Sequence, residues 1–128
     1  DTSVLSAHWQ REGGRRAEGQ SAENVEKWAA ELIAIYGSAA IVTPVHIEFI
    51  CAATSQREIE LREVYLAVFQ IADNGNIRDN DWTEAARIAR RVPHSGKPRQ
   101  LGDCLIRALA NRLKMDVISR DRGFPLPH

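Results

Sequence analysis

"AAIVTPVHIEFIC", residues 39–51, contains the transition that decides the fold. Residues 39–42 are small or β-branched, and Gly37 and Pro44 bound them, a pattern typical of a short strand buried in a parallel sheet. Pro44 suits the first turn of a helix, because that position needs no backbone N–H donor. The stretch therefore predicts a strand that leads directly into a helix carrying Glu48.

The remaining chain alternates helical segments with one further short apolar run. Apolar residues recur at helical spacing over residues 21–36, 55–72 and 101–114, and each of these segments is predicted to be a helix. The run "DVIS", residues 116–119, predicts a second buried strand. Strands separated by helices indicate an α/β fold with a central parallel sheet, in a single domain over residues 1–128.

The composition excludes few classes of function, and it indicates a cytoplasmic protein. Lys plus Arg and Asp plus Glu each total 17, so nucleic-acid binding would require a local basic patch rather than a basic chain. No apolar run reaches the roughly 20 residues that span a bilayer, so no membrane association is predicted. Cys51 and Cys104 stand in apolar stretches, and we expect both to be buried free thiols.

Four acids are predicted to lie at one edge of the sheet. Sites in parallel sheets form beyond the carboxyl ends of the strands. Glu48 and Asp121 follow the two predicted strands, and Asp103 lies in the first turn of a helix that leads into the second. Asp1 reads as the exit of a strand truncated from this sequence. Like charges gathered in this way need counter-ions, and hard Mg²⁺ or Mn²⁺ ions suit an all-carboxylate set.

Each acid also has an ordinary explanation when it is considered alone. Asp103 would favour the positive end of its helix and pair with Arg107 one turn later. Asp121 would be a turn residue, Asp1 a terminal residue, and Glu48 an acid that reaches solvent or an arginine. Only their joint placement favours a shared site.

Four sequence blocks together resemble the motifs of PIN-domain nucleases, and most closely those of the toxins of bacterial VapBC-type toxin–antitoxin pairs. The resemblance covers nearly the whole chain and keeps the order and spacing of the blocks. They are "DTSVL" at 1–5, "TPVHIEF" at 43–49, "LGDCLIRALA" at 101–110 and "VISRDRGF" at 117–124.

This resemblance implies a compact three-layer α/β/α fold and a Mg²⁺- or Mn²⁺-dependent endoribonuclease that cleaves single-stranded or structured RNA, such as tRNA or rRNA. The residues that match the family's metal-binding and catalytic acids are Asp1, Glu48, Asp103 and Asp121. Ser119 matches the polar position of the last block, and Thr2 or Ser3 that of the first; we expect Thr2 and Ser119 to orient ligands or water around the metal.

The implied partners are a cognate antitoxin, a second copy of the chain in a homodimer, and RNA. Arg120, Arg122, Lys97 and Arg99 are the candidate RNA contacts, because they flank Asp121 or precede the helix of Asp103. The alternative is a catalytically silent binding module that keeps the PIN shape and regulates a partner.

Overall fold

A computed structural model describes residues 1–91 and 101–120 of the chain. Helices predominate in these residues, and two very short strands are inserted between them. None of the helices described is long and apolar enough to cross a membrane. The elements are α1 (Thr2–Arg11), a 3₁₀ helix (Gly14–Gly19), α2 (Ala22–Tyr36), β1 (Ala40–Ile41), α3 (Thr43–Cys51), α4 (Gln56–Ala67), β2 (Gln70–Ile71), α5 (Asp79–Arg91) and α6 (Leu101–Arg112).

Local signals set the bounds of α2 as the sequence predicts. The Ser21 hydroxyl caps the start of the helix by accepting a hydrogen bond from the Asn24 amide at 3.2 Å. Gly37 ends it in the left-handed conformation, with φ of 68°, and donates its amide to the Ile33 carbonyl at 2.8 Å. Side chains with a β-carbon rarely adopt this φ, which explains the glycine at the end of the helix.

The two strands confirm the α/β class, although the sheet that they form is small. β1 and β2 run parallel, with Ala40 opposite Gln70 and Ile41 opposite Ile71. The prediction of one continuous helix over residues 55–72 was wrong at its end, because α4 stops before β2. Pairing with β1 takes the backbone after α4 out of the helix.

The predicted strand at residues 116–119 forms no strand pairing with the residues that the structure describes. Residues 115–119 have no regular secondary structure, and Val117 and Ile118 line an apolar groove together with Ile41 and Val42. The prediction of a second buried strand here was wrong for the described residues.

An aromatic cluster holds α1, α2, α3 and α4 together. Trp9 is fully buried, and its ring packs edge-to-face on Trp28, Phe49 and Tyr65 at centroid separations of 5.3–5.6 Å. The chain after α1 passes so close to Trp9 that a β-carbon on Gly14 would lie 2.1 Å from the indole ring. The tryptophan nearest the start of the chain is thus a core residue.

The two cysteines differ in exposure. Cys104 lies in the buried face of α6, as expected, whereas Cys51 is exposed. Cys51 is the last residue of α3 and is followed by the exposed Ala52, and the expectation that both thiols are buried was wrong for this one.

Candidate metal and active site

Asp1 lies at the start of α1, and its carboxylate is held by one nearby and one distant hydroxyl group. Its carboxylate accepts hydrogen bonds from the Ser3 hydroxyl at 2.6 Å and from the Ser119 hydroxyl at 2.9 Å. The Ser3 oxygen in turn accepts from the Arg120 amide at 3.2 Å. The segment after α6 is thereby closed onto the first turn of α1, and the Asp1 carboxylate is held in one orientation.

Glu48 lies on the outer face of α3 in spite of its apolar neighbours. Phe49 is fully buried, whereas Ile47 is 53% exposed and Glu48 is also exposed, because successive residues of a helix point in different directions. The Thr2 hydroxyl donates to the Glu48 carboxylate at 3.2 Å. Burial therefore imposes no penalty on this acid, and its contact is with the first turn of α1.

Both ends of α3 are anchored, so the position of Glu48 is well determined. Asp73, which follows β2 and is 4% exposed, accepts hydrogen bonds from the Thr43 amide at 2.8 Å and the Thr43 hydroxyl at 2.5 Å. At the other end, the buried Arg62 guanidinium donates to the Phe49 carbonyl at 2.8 Å. The sheet and α4 together hold the helix that presents Glu48.

Asp103 lies in the first turn of α6, next to the same edge. A β-carbon on its neighbour Gly102 would lie 3.8 Å from the Glu48 carboxylate, so the start of α6 is beside Glu48. The carboxylates of Asp103 and Glu48 also lie close enough to Asp1 to act electrostatically on its backbone nitrogen. These interactions bring Asp1, Glu48 and Asp103 to one edge of the molecule.

The donor set at this edge consists of carboxylate and hydroxyl oxygens, which fits a hard divalent cation such as Mg²⁺ or Mn²⁺. Within residues 1–91 and 101–120, the three acids do not form a set whose ligand oxygens all lie within 4.8 Å of one another. Mg²⁺ commonly keeps several water ligands and contacts only one or two carboxylates directly, so the three acids need not all bind the ion.

The predicted RNA contacts are only partly within the described residues. Arg120 is exposed, and its backbone closes over Ser3 beside Asp1. The fourth predicted acid, Asp121, lies outside the described residues. So do the remaining predicted RNA contacts, which are Arg122, Lys97 and Arg99.

A second cluster of ligand-type side chains lies on α1 and α2 and was not found in the sequence. Atoms of His8, Glu12 and Glu31 that could bind a metal all lie within 4.8 Å of one another. The spacing of His8 and Glu12, four residues apart on one helix face, was a signal that the sequence offered. Glu31 belongs to a different helix, and its participation depends on how the two helices pack.

Comparison with protein families agrees with this geometry. The family model of the PIN domain matches residues 1–126. The chain belongs to the PIN-domain family. PIN domains are generally metal-dependent nucleases, and the resemblance found in the sequence is thus confirmed at the level of the family. No solved structure gave a significant match to the chain.

Proposed function

We propose that this PIN domain is a metal-dependent endoribonuclease and the toxin of a type II toxin–antitoxin pair. The observation that carries the proposal is the meeting of Asp1, Glu48 and Asp103 at one edge, with hydroxyl groups holding the first two carboxylates. A three-layer α/β/α arrangement of the single domain 1–128 belongs to the same proposal.

The cation would be held by Asp1, Glu48 and Asp103. Asp121 would be a fourth ligand, because of its position in the sequence. When bound, Mg²⁺ or Mn²⁺ lowers the pKa of water and stabilises charge on a phosphodiester under attack. Ser119 fixes the orientation of the Asp1 carboxylate, and Thr2 fixes that of Glu48. These hydroxyls would keep the ligands preorganised, which outer-shell groups do at metal sites generally.

Arg120 would contact the RNA backbone, together with Arg122, Lys97 and Arg99. The exposed Arg120 side chain belongs to the segment that closes over Asp1, and phosphate contacts of this kind position a nucleic acid without reading its sequence. The substrate would be single-stranded or loop RNA in the cytoplasm, with tRNA and rRNA as the first candidates.

The cognate antitoxin would inhibit by placing a basic side chain among the acids. A guanidinium matches a carboxylate in two parallel hydrogen bonds, and the edge with three acids provides the complementary charge. A homodimer of the chain would present two such edges.

The test is cleavage of labelled RNA by the purified protein in Mg²⁺, in Mn²⁺ and in excess chelator. We expect cleavage only with metal, and a loss of at least about 100-fold, or about 2.7 kcal/mol, in Asp103→Asn. Asp79→Asn is the matched control, because Asp79 occupies the first turn of α5 as Asp103 does in α6. Cleavage that persists in chelator would contradict the metal mechanism. A parent protein that binds RNA without cutting it under any of these conditions would favour the silent binding module.

A further inference from the structure

The cluster formed by His8, Glu12 and Glu31 is independent of the acidic edge. His8 lies in the second half of α1, Glu12 follows the end of that helix, and Glu31 lies on α2. The His8 Nε2 atom is 3.7 Å from the Glu12 carboxylate, too far for a good hydrogen bond but close enough for both to bind one ion. Ligand atoms from α1, from the residue that follows it and from α2 thus lie within 4.8 Å of one another.

The His8 ring nitrogen that faces Glu12 is buried and forms no hydrogen bond with the described residues. His8 is only 2% exposed, and its Nε2 makes no hydrogen bond within the part of the chain that the structure describes. The opposite ring nitrogen, Nδ1, lies 2.9 Å from the Tyr65 hydroxyl. A buried polar atom without a hydrogen bond is unfavourable, so this nitrogen needs an explanation.

The protonation state of His8 is the one that a metal requires. Burial lowers the pKa of His8, the carboxylates of Glu12 and Glu31 raise it, the Arg11 guanidinium lowers it, and the net shift is downward. The imidazole is therefore neutral at neutral pH and can donate its Nε2 lone pair. The Tyr65 oxygen can then accept from Nδ1–H, and such an outer-shell bond fixes the tautomer in which Nε2 is the ligand.

We propose that His8, Glu12 and Glu31 form a second metal site, selective for Zn²⁺ over Mg²⁺. Zn²⁺ binds both imidazole nitrogen and carboxylate oxygen, and three protein ligands with a water in the fourth position complete such a site. Mg²⁺ prefers an all-oxygen set and disfavours imidazole. The site would clamp α1 to α2 and so steady the helix that begins at Asp1 and Thr2. The proposal does not depend on the nuclease activity.

The experiment uses protein freed of Zn²⁺ and titrates it with Zn²⁺ by calorimetry. Excess Mg²⁺ is present to compete with Zn²⁺ at the acidic edge. We expect one tight equivalent of Zn²⁺, and Glu31→Gln should weaken its affinity at least about tenfold, since even outer-shell changes weaken metal sites by about 10–100-fold. Glu31 is exposed, so this change leaves the core intact. Glu26→Gln, at another exposed acid of α2, is the matched control and should leave the affinity unchanged.

Long-range ¹H–¹⁵N spectra of the imidazole nitrogens identify the ligand. The His8 Nε2 resonance should move on addition of one equivalent of Zn²⁺ and should not respond to Mg²⁺. His8→Asn assigns the signal, because asparagine can reproduce the hydrogen bond of Nδ1 but lacks a counterpart of Nε2. Equal Zn²⁺ affinity in Glu31→Gln and the parent, or a His8 resonance that ignores Zn²⁺, would overturn the proposal and leave an ordinary buried histidine beside Glu12.

Discussion

Asp81 and Asp1 are two acids with opposite electrostatic surroundings. Asp81 is 2% exposed and accepts hydrogen bonds from the Arg112 guanidinium at 2.8 Å and the Arg78 amide at 2.8 Å. The carboxylate of Asp1 accepts from two neutral hydroxyls, and the further acids Glu48 and Asp103 lie nearby. One charge is neutralised inside the fold, whereas the other is brought close to charges of its own sign.

The comparison separates the acids that stabilise the fold from those that are available to bind a ligand. Burial alone would raise the pKa of Asp81, but the hydrogen bond and charge of Arg112 and the Arg78 amide lower it overall. Glu58 behaves in the same way, because its bonds to Thr54 and to the buried Arg62 outweigh its desolvation. At the acidic edge, by contrast, the Asp1 carboxylate lies close to other acids. Such a gathering of negative charge is expected of a cation site.

The largest expected effect on stability is at the compensated acid. Asp81→Asn should lower the free energy of unfolding by about 2–3 kcal/mol, because it leaves the partly buried Arg112 without its counter-charge. Denaturant unfolding monitored by circular dichroism measures this loss. The control is Glu60→Gln, which removes an exposed pair with Arg57 at 3.6 Å and should change stability by less than about 1 kcal/mol.

The pH dependence of the same pair checks the cause. A carboxylate whose pKa is lowered by folding stabilises the protein above its ordinary pKa, near 4, and that contribution is lost as the pH falls through the lowered value. The difference between the parent and Asp81→Asn should therefore be full at pH 7 and shrink in acid below about pH 4. A difference that stays constant down to pH 2 would contradict the electrostatic explanation.

A smaller effect is expected from loss of a hydroxyl at the acidic edge. Ser119→Ala should lower RNA cleavage about tenfold, or about 1.4 kcal/mol, because the Asp1 carboxylate loses one of its two hydroxyl donors. More Mg²⁺ should then be needed for half-maximal cleavage, which a purely structural role would not produce. Thr83→Ala, whose hydroxyl bonds a carbonyl within α5, is the control. An unchanged Mg²⁺ requirement in Ser119→Ala would separate this serine from the metal.

Much of the fold could be predicted because the relevant signals are local. The start or end of a helix is marked by single residues, Ser21, Gly37 and Pro44, through their backbone conformation or hydrogen bonding. β2 could not be predicted, because a strand of two residues has no alternation and its apolar neighbours continue the helical spacing of α4. The prediction of a strand at 116–119 was wrong for a different reason. An apolar run suggests a strand but gives no information about the strand with which it would pair.

The candidate site was predictable where residues follow elements in the chain. Glu48 and Asp103 could be placed from the strand before α3 and the start of α6, although neither their spacing nor the hydroxyl contacts of Thr2 and Ser119 could be derived from the pattern. The cluster of His8, Glu12 and Glu31 escaped prediction because it depends on the packing of α1 against α2. Contacts between separate helices carry no periodic signal.

Thermal unfolding of the parent and Asp103→Asn, each in chelator and in Mg²⁺, shows whether the acidic edge binds a cation. Mg²⁺ should stabilise the parent, by about 2.7 kcal/mol at a hundredfold excess over Kd, because it binds only the folded state. Asp103→Asn should lose this stabilisation yet be as stable as the parent in chelator, or more so, since one repelling charge is gone. Glu31→Gln should keep the full response to Mg²⁺, which separates the two candidate sites. A parent indifferent to Mg²⁺, together with an Asp103→Asn protein about 1 kcal/mol less stable in chelator, would contradict the account and make Asp103 an ordinary helix-start acid.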